Sequence, residues 1–299
     1  MPVAVVPTLD PGWLEWVAEN LLRSCSRPSI LQAMAEAGVP AAHAEATVER
    51  RAAIGADQLL HDHVIGQRPV VLTDLARDWP ALRRWTPEYL HRDFGEVLVE
   101  VQAGRDTNPN YELNKLQLRR EMRLAEFIDR VWATGKEGGN DLYLTANNQA
   151  LQRPGLAPLL GDIGSLPDYI ERSQLPGAAL LWLGSAGTRT PLHHDTVMLM
   201  HTQIVGRKRW HLVSPLETAK LDNSHGVFSP IDLEHPDLVR WPAMASVKIL
   251  DVTVEAGETL FVPLGWWHQV RSLDLCISVS FTNFVWPNRF AYRNAEGGV

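Results

Sequence analysis

Short apolar segments separated by turn residues dominate the chain from Ala178 onward. Segments of about four to eight residues that are rich in Val, Ile, Leu, Phe and Trp are typical of β-strands when Gly, Asp or Ser bound them. Turn residues recur at Gly184, Gly206-Arg207, Glu255-Ala256-Gly257 and Ser272-Leu273-Asp274. Many short strands with closely spaced turns favour a barrel or a sandwich. The predicted strands are Ala179–Leu183, Leu192–Met200, His201–Val205, Lys208–Val213, Val247–Val252, Thr259–Val262, His268–Ser272 and Leu275–Phe281.

Residues 1–57 show the helical spacing of apolar positions. Asp10 followed by Pro11 is a favourable helix start, because Asp caps the first turn and Pro has the backbone angle of the first helical position. We therefore expect an N-terminal helical module over residues 1–57, with a third, Ala-rich helix that runs through Ala53. The simplest interpretation of this module is a packing appendage, and a partner-docking module is the alternative.

Residues 58–299 form the second predicted domain, which is mainly β with flanking helices. Thr86 before Pro87 predicts a capped helix start, because Thr is a good N-cap and Pro suits the first helical position. Ser214–Ala245 is a long polar segment between strands, which we interpret as a lid or a side wall. The other elements predicted before residue 178 are strands Val70–Leu72, Val97–Val101 and Leu142–Thr145 and helices Pro87–Phe94 and Leu124–Trp132.

Charge and cysteine content narrow the class of protein. The 299 residues carry 28 Lys and Arg against 35 Asp and Glu, so the net charge is -7 and a non-specific nucleic-acid binder is disfavoured. Cys25 and Cys276 are the only cysteines and lie far apart, which makes a reducing cytoplasm the simpler assumption. No segment has the roughly 18–20 consecutive apolar residues of a membrane span. We therefore expect a cytoplasmic protein that does not enter a membrane.

Two segments far apart in sequence carry the candidate chemistry, Thr190-Pro191-Leu192-His193-His194-Asp195 and Gly265-Trp266-Trp267-His268. Alternate side chains of a strand share a face, so His193 and Asp195 project together while His194 points to the other side. Two such ligands and a His from a second strand form a two-His, one-carboxylate face. This face leaves metal positions open, as in non-haem Fe(II) oxygenases. We therefore predict a metal site of His193, Asp195 and His268.

The sequence around these motifs resembles the JmjC-type, cupin-like 2-oxoglutarate oxygenases. The resemblance covers about residues 59–290 in order and is closest to the hydroxylase branch of that family. It implies a double-stranded β-helix, a jelly roll of two four-stranded sheets with the metal at one mouth. The matching segments are Arg68–Leu72, Trp79–Ala81, Gly187–Asp195, Gln203–Trp210 and Gly257–His268.

The resemblance also implies cofactors and residue roles. His193, Asp195 and His268 match the Fe(II) ligands of the family, and Lys208 matches the cation that binds the distal carboxylate of 2-oxoglutarate. Thr190 and Tyr143 match hydroxyl groups that bond the same carboxylate, and Asn283 matches a position near the iron-proximal end of the cosubstrate. A buried dicarboxylate needs such partners, because an unpaired buried carboxylate is costly. The implied cofactors are Fe(II), 2-oxoglutarate and O2.

The implied reaction is hydroxylation of an amino-acid side chain in a protein or peptide, with release of succinate and CO2. The alternatives are the same chemistry on a small molecule, or a non-catalytic cupin-like binding protein. A lysine demethylase is less favoured, since that branch usually presents His-x-Glu where this chain has His-x-Asp. Trp182 and Trp267 are candidate substrate contacts, and residues 102–120, 146–170 and 214–245 are candidate lips. The expected oligomeric state is a monomer, or a homodimer through the N-terminal helices.

Overall fold

Two β-sheets form most of the structure, a computed structural model that describes residues 48–288 except 53, 136, 146 and 147. The predicted helices before residue 48 lie outside these described residues. The strands are β1 (Glu49–Arg51), β2 (Val70–Leu72), β3 (Leu98–Ala103), β4 (Arg119–Arg123), β5 (Leu142–Leu144), β6 (Ala179–Gly184), β7 (Arg189–His194), β8 (Leu199–Val205), β9 (Lys208–Val213), β10 (Leu250–Val254), β11 (Thr259–Val262), β12 (Trp267–Ser272) and β13 (Cys276–Phe281).

The chain crosses repeatedly between the two sheets. The smaller sheet has the order β10-β9-β12-β7, and the larger has the order β1-β2-β11-β8-β13-β6-β5-β3-β4. From β6 to β9, and again from β10 to β13, each strand lies in the sheet opposite to the one before it. This alternation winds the chain into the expected double-stranded β-helix, in which β11, β8, β13 and β6 face the four strands of the smaller sheet.

Short helices surround the larger sheet. Thr86 caps the third of them as predicted, because its Oγ1 accepts a hydrogen bond from the Tyr89 amide at 3.2 Å. No helix among the described residues is long and apolar enough to cross a membrane. The α-helices are α1 (Ala56–Gln58), α2 (Ala81–Arg84), α3 (Pro87–Phe94), α4 (Lys115–Leu118), α5 (Leu124–Ala133) and α6 (Leu175–Ala178), and a π-helical segment spans Leu59–Ile65. The 3₁₀ turns are Ala150–Gln152, Ala157–Asp162, Arg172–Gln174, Pro215–Lys220 and Pro242–Ser246.

Three apolar clusters show how the layers pack. The outer face of the larger sheet, with Met200 and Phe281, packs against the helices. Side chains of both sheets, including Trp210 and Leu260, meet in the barrel interior. Residues 221–249 cover the outer face of the smaller sheet, where Leu192 and Trp267 are buried. The segment Ser214–Ala245 was predicted to be a lid or a side wall, and in the structure it forms a side wall.

Three sequence predictions differ from the structure. The predicted third helix does not include residues 49–51, which form β1 and pair in parallel with β2. The predicted single strand Leu192–Met200 is two strands, because the chain leaves the smaller sheet after His194 and enters the larger sheet at Leu199. The strand β4 was not predicted, since its residues are mostly charged and exposed and it is held only at the sheet edge by β3.

Candidate metal centre

Strand register brings the two predicted histidine ligands side by side. His268 of β12 pairs with His193 of β7, and Trp267 pairs with His194. Paired residues of antiparallel strands share a face, so His193 and His268 both point into the barrel. His194 and Trp267 lie on the other face, where their rings meet edge to face at 4.7 Å. His193 thus faces the barrel interior and His194 faces outward, as alternation along the strand predicts.

A β-bulge in β7 places Thr190 on the same face as His193. The next pair after His268 and His193 is Val270 with Thr190, so three residues of β7 span the distance that two span on β12. Such an extra residue reverses the alternation locally, and Pro191 fits there because β7 is an edge strand of its sheet. Simple alternation would have turned Thr190 away from the interior.

The three predicted ligands form one cluster at the mouth of the barrel, the end where β7 stops and β12 starts. Asp195 carboxylate oxygens lie 3.9 Å from His193 Nε2 and 3.7 Å from His268 Nε2. One ligand atom from each residue can be chosen so that all lie within 4.8 Å of one another. Among the described residues this is the one group of three His, Cys, Asp or Glu side chains with such spacing. The donor set is the one that suits Fe(II).

Hydrogen bonds orient both imidazoles for metal binding. His193 Nδ1 lies 2.8 Å from the Pro191 carbonyl oxygen, and His268 Nδ1 lies 3.0 Å from the Trp266 carbonyl oxygen. Because a carbonyl only accepts, each Nδ1 carries the hydrogen and each Nε2 keeps its lone pair toward the cluster. Burial, together with the neighbouring His193, lowers the pKa of His268 to about 4. His268 is therefore neutral at pH 7, the form that binds metals.

Side chains around the cluster leave one side open to solvent. Trp210 packs near His268 with ring centroids 5.5 Å apart, and Phe228 stacks on His193 at 5.6 Å. The side chain of His268 is 3% exposed, whereas that of Asp195 is 37% exposed. Solvent and ligands can therefore reach the cluster from the side of the carboxylate.

Lys208 is a buried cation at the opposite end of the barrel. Gly206, in the left-handed region with φ of 72°, makes the tight connection that starts β9 at Lys208. Lys208 is 2% exposed, and its Nζ donates to Ser278 Oγ at 3.0 Å and to Tyr143 Oη at 3.2 Å. No carboxylate of the described residues pairs with it. A buried charge without a counter-charge is costly, so this environment suits an anionic ligand.

The spacing between Lys208 and the metal cluster suits one extended dicarboxylate. Lys208 pairs with Ser272 of β12, four residues beyond His268 on the same face. At about 3.3 Å per residue this is a separation of roughly 13 Å between backbones, which the side chains shorten from both ends. Tyr143 completes the closed end, and Gly184 makes room for its ring, because a Cβ there would lie 2.7 Å from Tyr143 Cδ2.

Asn283 follows β13 at the mouth of the barrel. It is buried, and its Nδ2 donates to the Glu171 carbonyl at 2.7 Å. Its Oδ1 is buried and has no hydrogen-bond partner among the described residues. Asn283 thus follows the metal-side end of β13, and its contact with the cosubstrate stays a prediction.

The two tryptophans predicted as substrate contacts have different environments. Trp267 is fully buried on the outer face of the smaller sheet, where its Nε1 donates to Thr218 Oγ1 at 2.9 Å. The prediction for Trp267 is therefore wrong, because strand alternation turns it away from the barrel when His268 faces in. Trp182 lies inside, with its ring centre 5.4 Å from Lys208 Nζ, and its role stays a prediction.

Sequence reasoning missed Arg105, which is buried beside Tyr143. Its guanidinium donates to Glu112 at 3.0 Å and to the Arg189 carbonyl, and it lies 4.2 Å from the Tyr111 ring centre. Arg105 therefore fastens the segment 109–113 to β7. No local pattern marks it, because its partners come from distant parts of the chain.

A surface cavity of about 230 Å³ lies between this fastened segment and β7. Phe228, which also stacks on the metal ligand His193, is part of its wall. Residues 109–113 and 228–232 form its two rims and fall within two of the three predicted lips, 102–120 and 214–245. Phe228 therefore links this open cavity to the surroundings of the metal cluster.

Comparisons with a family model and with known proteins point to the same family. Residues 56–291 match the cupin-like domain family. Over 252 residues the chain is 32% identical to "Lysine-specific demethylase 8" of Xenopus tropicalis, covering 81% of this chain and 54% of that protein. It is 31% identical to "Lysine-specific demethylase JMJ30" of Arabidopsis thaliana over 78% of this chain and 54% of that one. It is 29% identical to "HSPB1-associated protein 1" of Homo sapiens over 73% and 48%.

The chain belongs to the cupin-like domain family, and its relatives place it with the JmjC-type Fe(II)/2-oxoglutarate oxygenases. The family and the fold expected from the sequence are thereby confirmed. Enzymes of this family use Fe(II), 2-oxoglutarate and O2, and the residues present fit them: two imidazoles with Nε2 toward the cluster, one carboxylate and a buried lysine without a counter-charge. The chain spans about half the length of the curated relatives it matches.

A matched pair of variants tests the assignment of adjacent histidines. We expect His193→Ala to lose metal affinity and His194→Ala to retain it, because His193 faces the cluster while His194 packs against Trp267. Titration of Mn(II), a redox-stable substitute for Fe(II), into each variant measures both affinities. Loss of binding in His194→Ala alone would contradict the register described above.

Proposed function

We propose that the protein is an Fe(II)- and 2-oxoglutarate-dependent dioxygenase that hydroxylates an amino-acid side chain of a protein or peptide. Succinate and CO2 are the accompanying products. The observation that carries this proposal is the presence, in one barrel, of a His-Asp-His cluster at the mouth and an uncompensated buried Lys208 at the other end. We also propose a cytoplasmic location, from the two widely separated cysteines.

Each residue has a separate task in this proposal. His193, Asp195 and His268 hold Fe(II) through their two Nε2 atoms and one carboxylate oxygen. Fe(II), once bound with 2-oxoglutarate, supplies the O2 chemistry that no protein side chain provides. Lys208 binds the distal carboxylate by charge, Tyr143 and Thr190 add hydroxyl groups, and Asn283 offers a polar atom at the metal-side end.

The interior supports this division of labour electrostatically. Lys208 and the metal would neutralise the two ends of a dicarboxylate, and the buried surroundings make each attraction stronger than it would be in water. Tyr143 holds the Lys208 ammonium from one side and Ser278 from the other, so little reorganisation accompanies binding. Trp210 packs on His268 and shields the metal side from bulk water.

A polypeptide substrate is favoured over a small molecule by the shape of the entrance. The cavity that Phe228 links to the metal cluster is open and, at about 230 Å³, smaller than the roughly 300–1,000 Å³ sites that enclose drug-sized ligands. It suits one inserted side chain whose backbone stays outside. The relatives named lysine-specific demethylases also support a protein substrate.

Those names also support a second candidate, demethylation of a methylated lysine. Demethylation begins with hydroxylation of the N-methyl group, so the same cluster would serve both reactions. The two reactions give different products. Hydroxylation adds one oxygen atom to the peptide, whereas demethylation removes a methyl group and releases formaldehyde.

Peptide-library turnover distinguishes these functions. We expect the Fe(II)-loaded protein to form succinate faster with a subset of unmodified peptides, each of which gains one oxygen atom by mass spectrometry. A panel of methyl-lysine peptides and a panel of free amino acids serve as matched alternatives. Formaldehyde release from the methyl-lysine panel alone would favour demethylation, and stimulation only by free amino acids would contradict the polypeptide proposal.

A further inference from the structure

A polar strip lines the inner face of the larger sheet between Lys208 and the metal cluster. It consists of His201 and Gln203 on β8 and of Ser280 and Ser278 on β13, which are paired as His201 with Ser280 and Gln203 with Ser278. Ser278 accepts a hydrogen bond from Lys208, so Gln203 lies at the lysine end. His201 lies two residues nearer the mouth on the same face of β8. Polar side chains at four such positions are unusual for a barrel interior, where apolar residues normally pack.

Hydrogen bonds connect His201 to Ser280 and, through Ser280, to Trp182. Trp182 Nε1 donates to Ser280 Oγ at 2.9 Å, because an indole nitrogen can only donate. Ser280 Oγ lies 2.9 Å from His201 Nδ1, and its own hydrogen is available for donation to that nitrogen. When Ser280 donates to His201 Nδ1, His201 Nε2 carries the ring hydrogen. The Trp182–Ser280–His201 chain is therefore compatible with an N–H donor at His201 Nε2.

His201 Nε2 makes no well-formed hydrogen bond within the described part of the structure. His201 is 2% exposed, its Nε2 is buried, and the polar side chain beside it is Gln203, whose Oε1 is also buried without a well-formed hydrogen bond. Burial, with repulsion from Lys208, lowers the pKa of His201 well below its ordinary value, against the smaller opposing effect of the Gln203 side chain. The ring is therefore neutral. A buried polar atom without a well-formed hydrogen bond destabilises the ligand-free protein, and this one lies next to the ligand pocket.

The position of His201 relates it to the metal side of the pocket. Its ring lies 4.9 Å from the Trp210 ring, and the Trp210 ring lies 5.5 Å from the metal ligand His268. Trp210 therefore neighbours both His201 and the metal ligand His268. Lys208 and His201 approach the pocket from the two facing sheets, β9 and β8.

We propose that His201 binds 2-oxoglutarate, with its Nε2–H donating a hydrogen bond to an oxygen of the half of the molecule that faces the metal. Lys208 supplies the charge for the distal carboxylate, and His201 supplies a neutral, directed donor to the oxo acid half. The inference depends on 2-oxoglutarate binding and not on which substrate is hydroxylated. It therefore holds for each of the reactions considered above.

Three substitutions separate this role from a structural one. His201→Leu removes both nitrogens at similar volume, His201→Gln keeps a donor near the position of Nε2, and His201→Asn keeps one near the position of Nδ1. We expect His201→Leu to raise the 2-oxoglutarate dissociation constant of the Mn(II)-loaded protein by about tenfold, which corresponds to about 1.4 kcal/mol. His201→Gln should restore most of the affinity and His201→Asn should not. The readout is calorimetric titration, which needs no turnover.

Two further measurements complete the test. The melting temperature of ligand-free His201→Leu should change little, because the substitution removes the unsatisfied Nε2 together with the Nδ1 hydrogen bond to Ser280, while the increase on adding 2-oxoglutarate should shrink. Binding of 2-oxobutyrate, which has the oxo acid half but no distal carboxylate, should weaken by the same factor as binding of 2-oxoglutarate. Wild-type affinity in His201→Leu, or rescue by Asn instead of Gln, would overturn the inference. If wild-type protein itself does not bind 2-oxoglutarate, the proposed function fails as well.

Discussion

Replacing Asp195 with Asn should lower the Fe(II) affinity by more than about 100-fold and abolish 2-oxoglutarate turnover with the fold retained. Asp195 is the one anionic residue in the cluster, and its oxygens lie 3.9 and 3.7 Å from the two imidazole Nε2 atoms. Loss of partners that merely orient ligands already costs about 10–100-fold in metal affinity, so loss of the charged ligand itself should cost more. Asn is isosteric with Asp, so packing is preserved. Calorimetric titration with Mn(II) measures the affinity, and succinate formation measures the turnover.

A surface carboxylate provides the matched control for this substitution. Asp251 pairs with the exposed Arg209 on the smaller sheet and faces away from the barrel. We expect Asp251→Asn to keep metal affinity and turnover, since an exposed ion pair contributes little to stability. Equal metal affinity in wild type and Asp195→Asn would remove Asp195 from the ligand set.

Replacing Lys208 with Met should raise the 2-oxoglutarate dissociation constant by at least about tenfold and leave metal affinity nearly unchanged. A charge-assisted hydrogen bond contributes roughly 1.5–3 kcal/mol, and about 1.4 kcal/mol corresponds to each factor of ten. Met keeps the length of the side chain without the charge. The ligand-free variant should be at least as stable as wild type, because a buried ammonium with two neutral partners is replaced by an apolar group. Titration of 2-oxoglutarate into Mn(II)-loaded protein and thermal melting without ligand measure the two effects.

The neighbouring arginines are the controls for Lys208. Arg207 pairs with Asp274 and Arg209 with Asp251, and all four side chains are substantially exposed. Arg207→Ala and Arg209→Ala should therefore bind 2-oxoglutarate like wild type. A loss of affinity in either arginine variant, with Lys208→Met unaffected, would show that the cosubstrate anchor is misassigned.

The fold was predictable wherever local turn chemistry coincides with a strand end. Strands Lys208–Val213 and Thr259–Val262 have their predicted bounds, because Gly206-Arg207 and Gly257 mark their starts. The break between β7 and β8 has no such mark, since residues 195–198 include apolar Val197 and Met198 that continue the strand pattern. That break comes from the passage between sheets, which is a tertiary property. Strand β4 likewise depends on its pairing with β3.

The candidate site was predictable where alternation along a strand is regular. His193 and His194 follow this alternation. Thr190 shares the inner face with His193 only because of the bulge opposite Gln269, and no residue type in the motif indicates that bulge. The prediction for Trp267 did not take into account that adjacent strand residues point to opposite faces, so Trp267 must face outward when His268 faces the barrel interior. Arg105 escaped prediction, since it acquires its environment from strands distant in sequence.

The most direct test of the central claim is a single-turnover experiment on the wild-type protein. Anaerobic protein with Fe(II) and 2-oxoglutarate is exposed to O2, and succinate is quantified against the same reaction without metal and with Asp195→Asn. We predict succinate in the complete wild-type reaction and none above background in the two controls, because the His193, Asp195 and His268 cluster must hold the iron. Intact 2-oxoglutarate after exposure of a wild-type sample with bound Fe(II), or equal succinate in the Asp195→Asn sample, would contradict the assignment of this protein as a 2-oxoglutarate oxygenase.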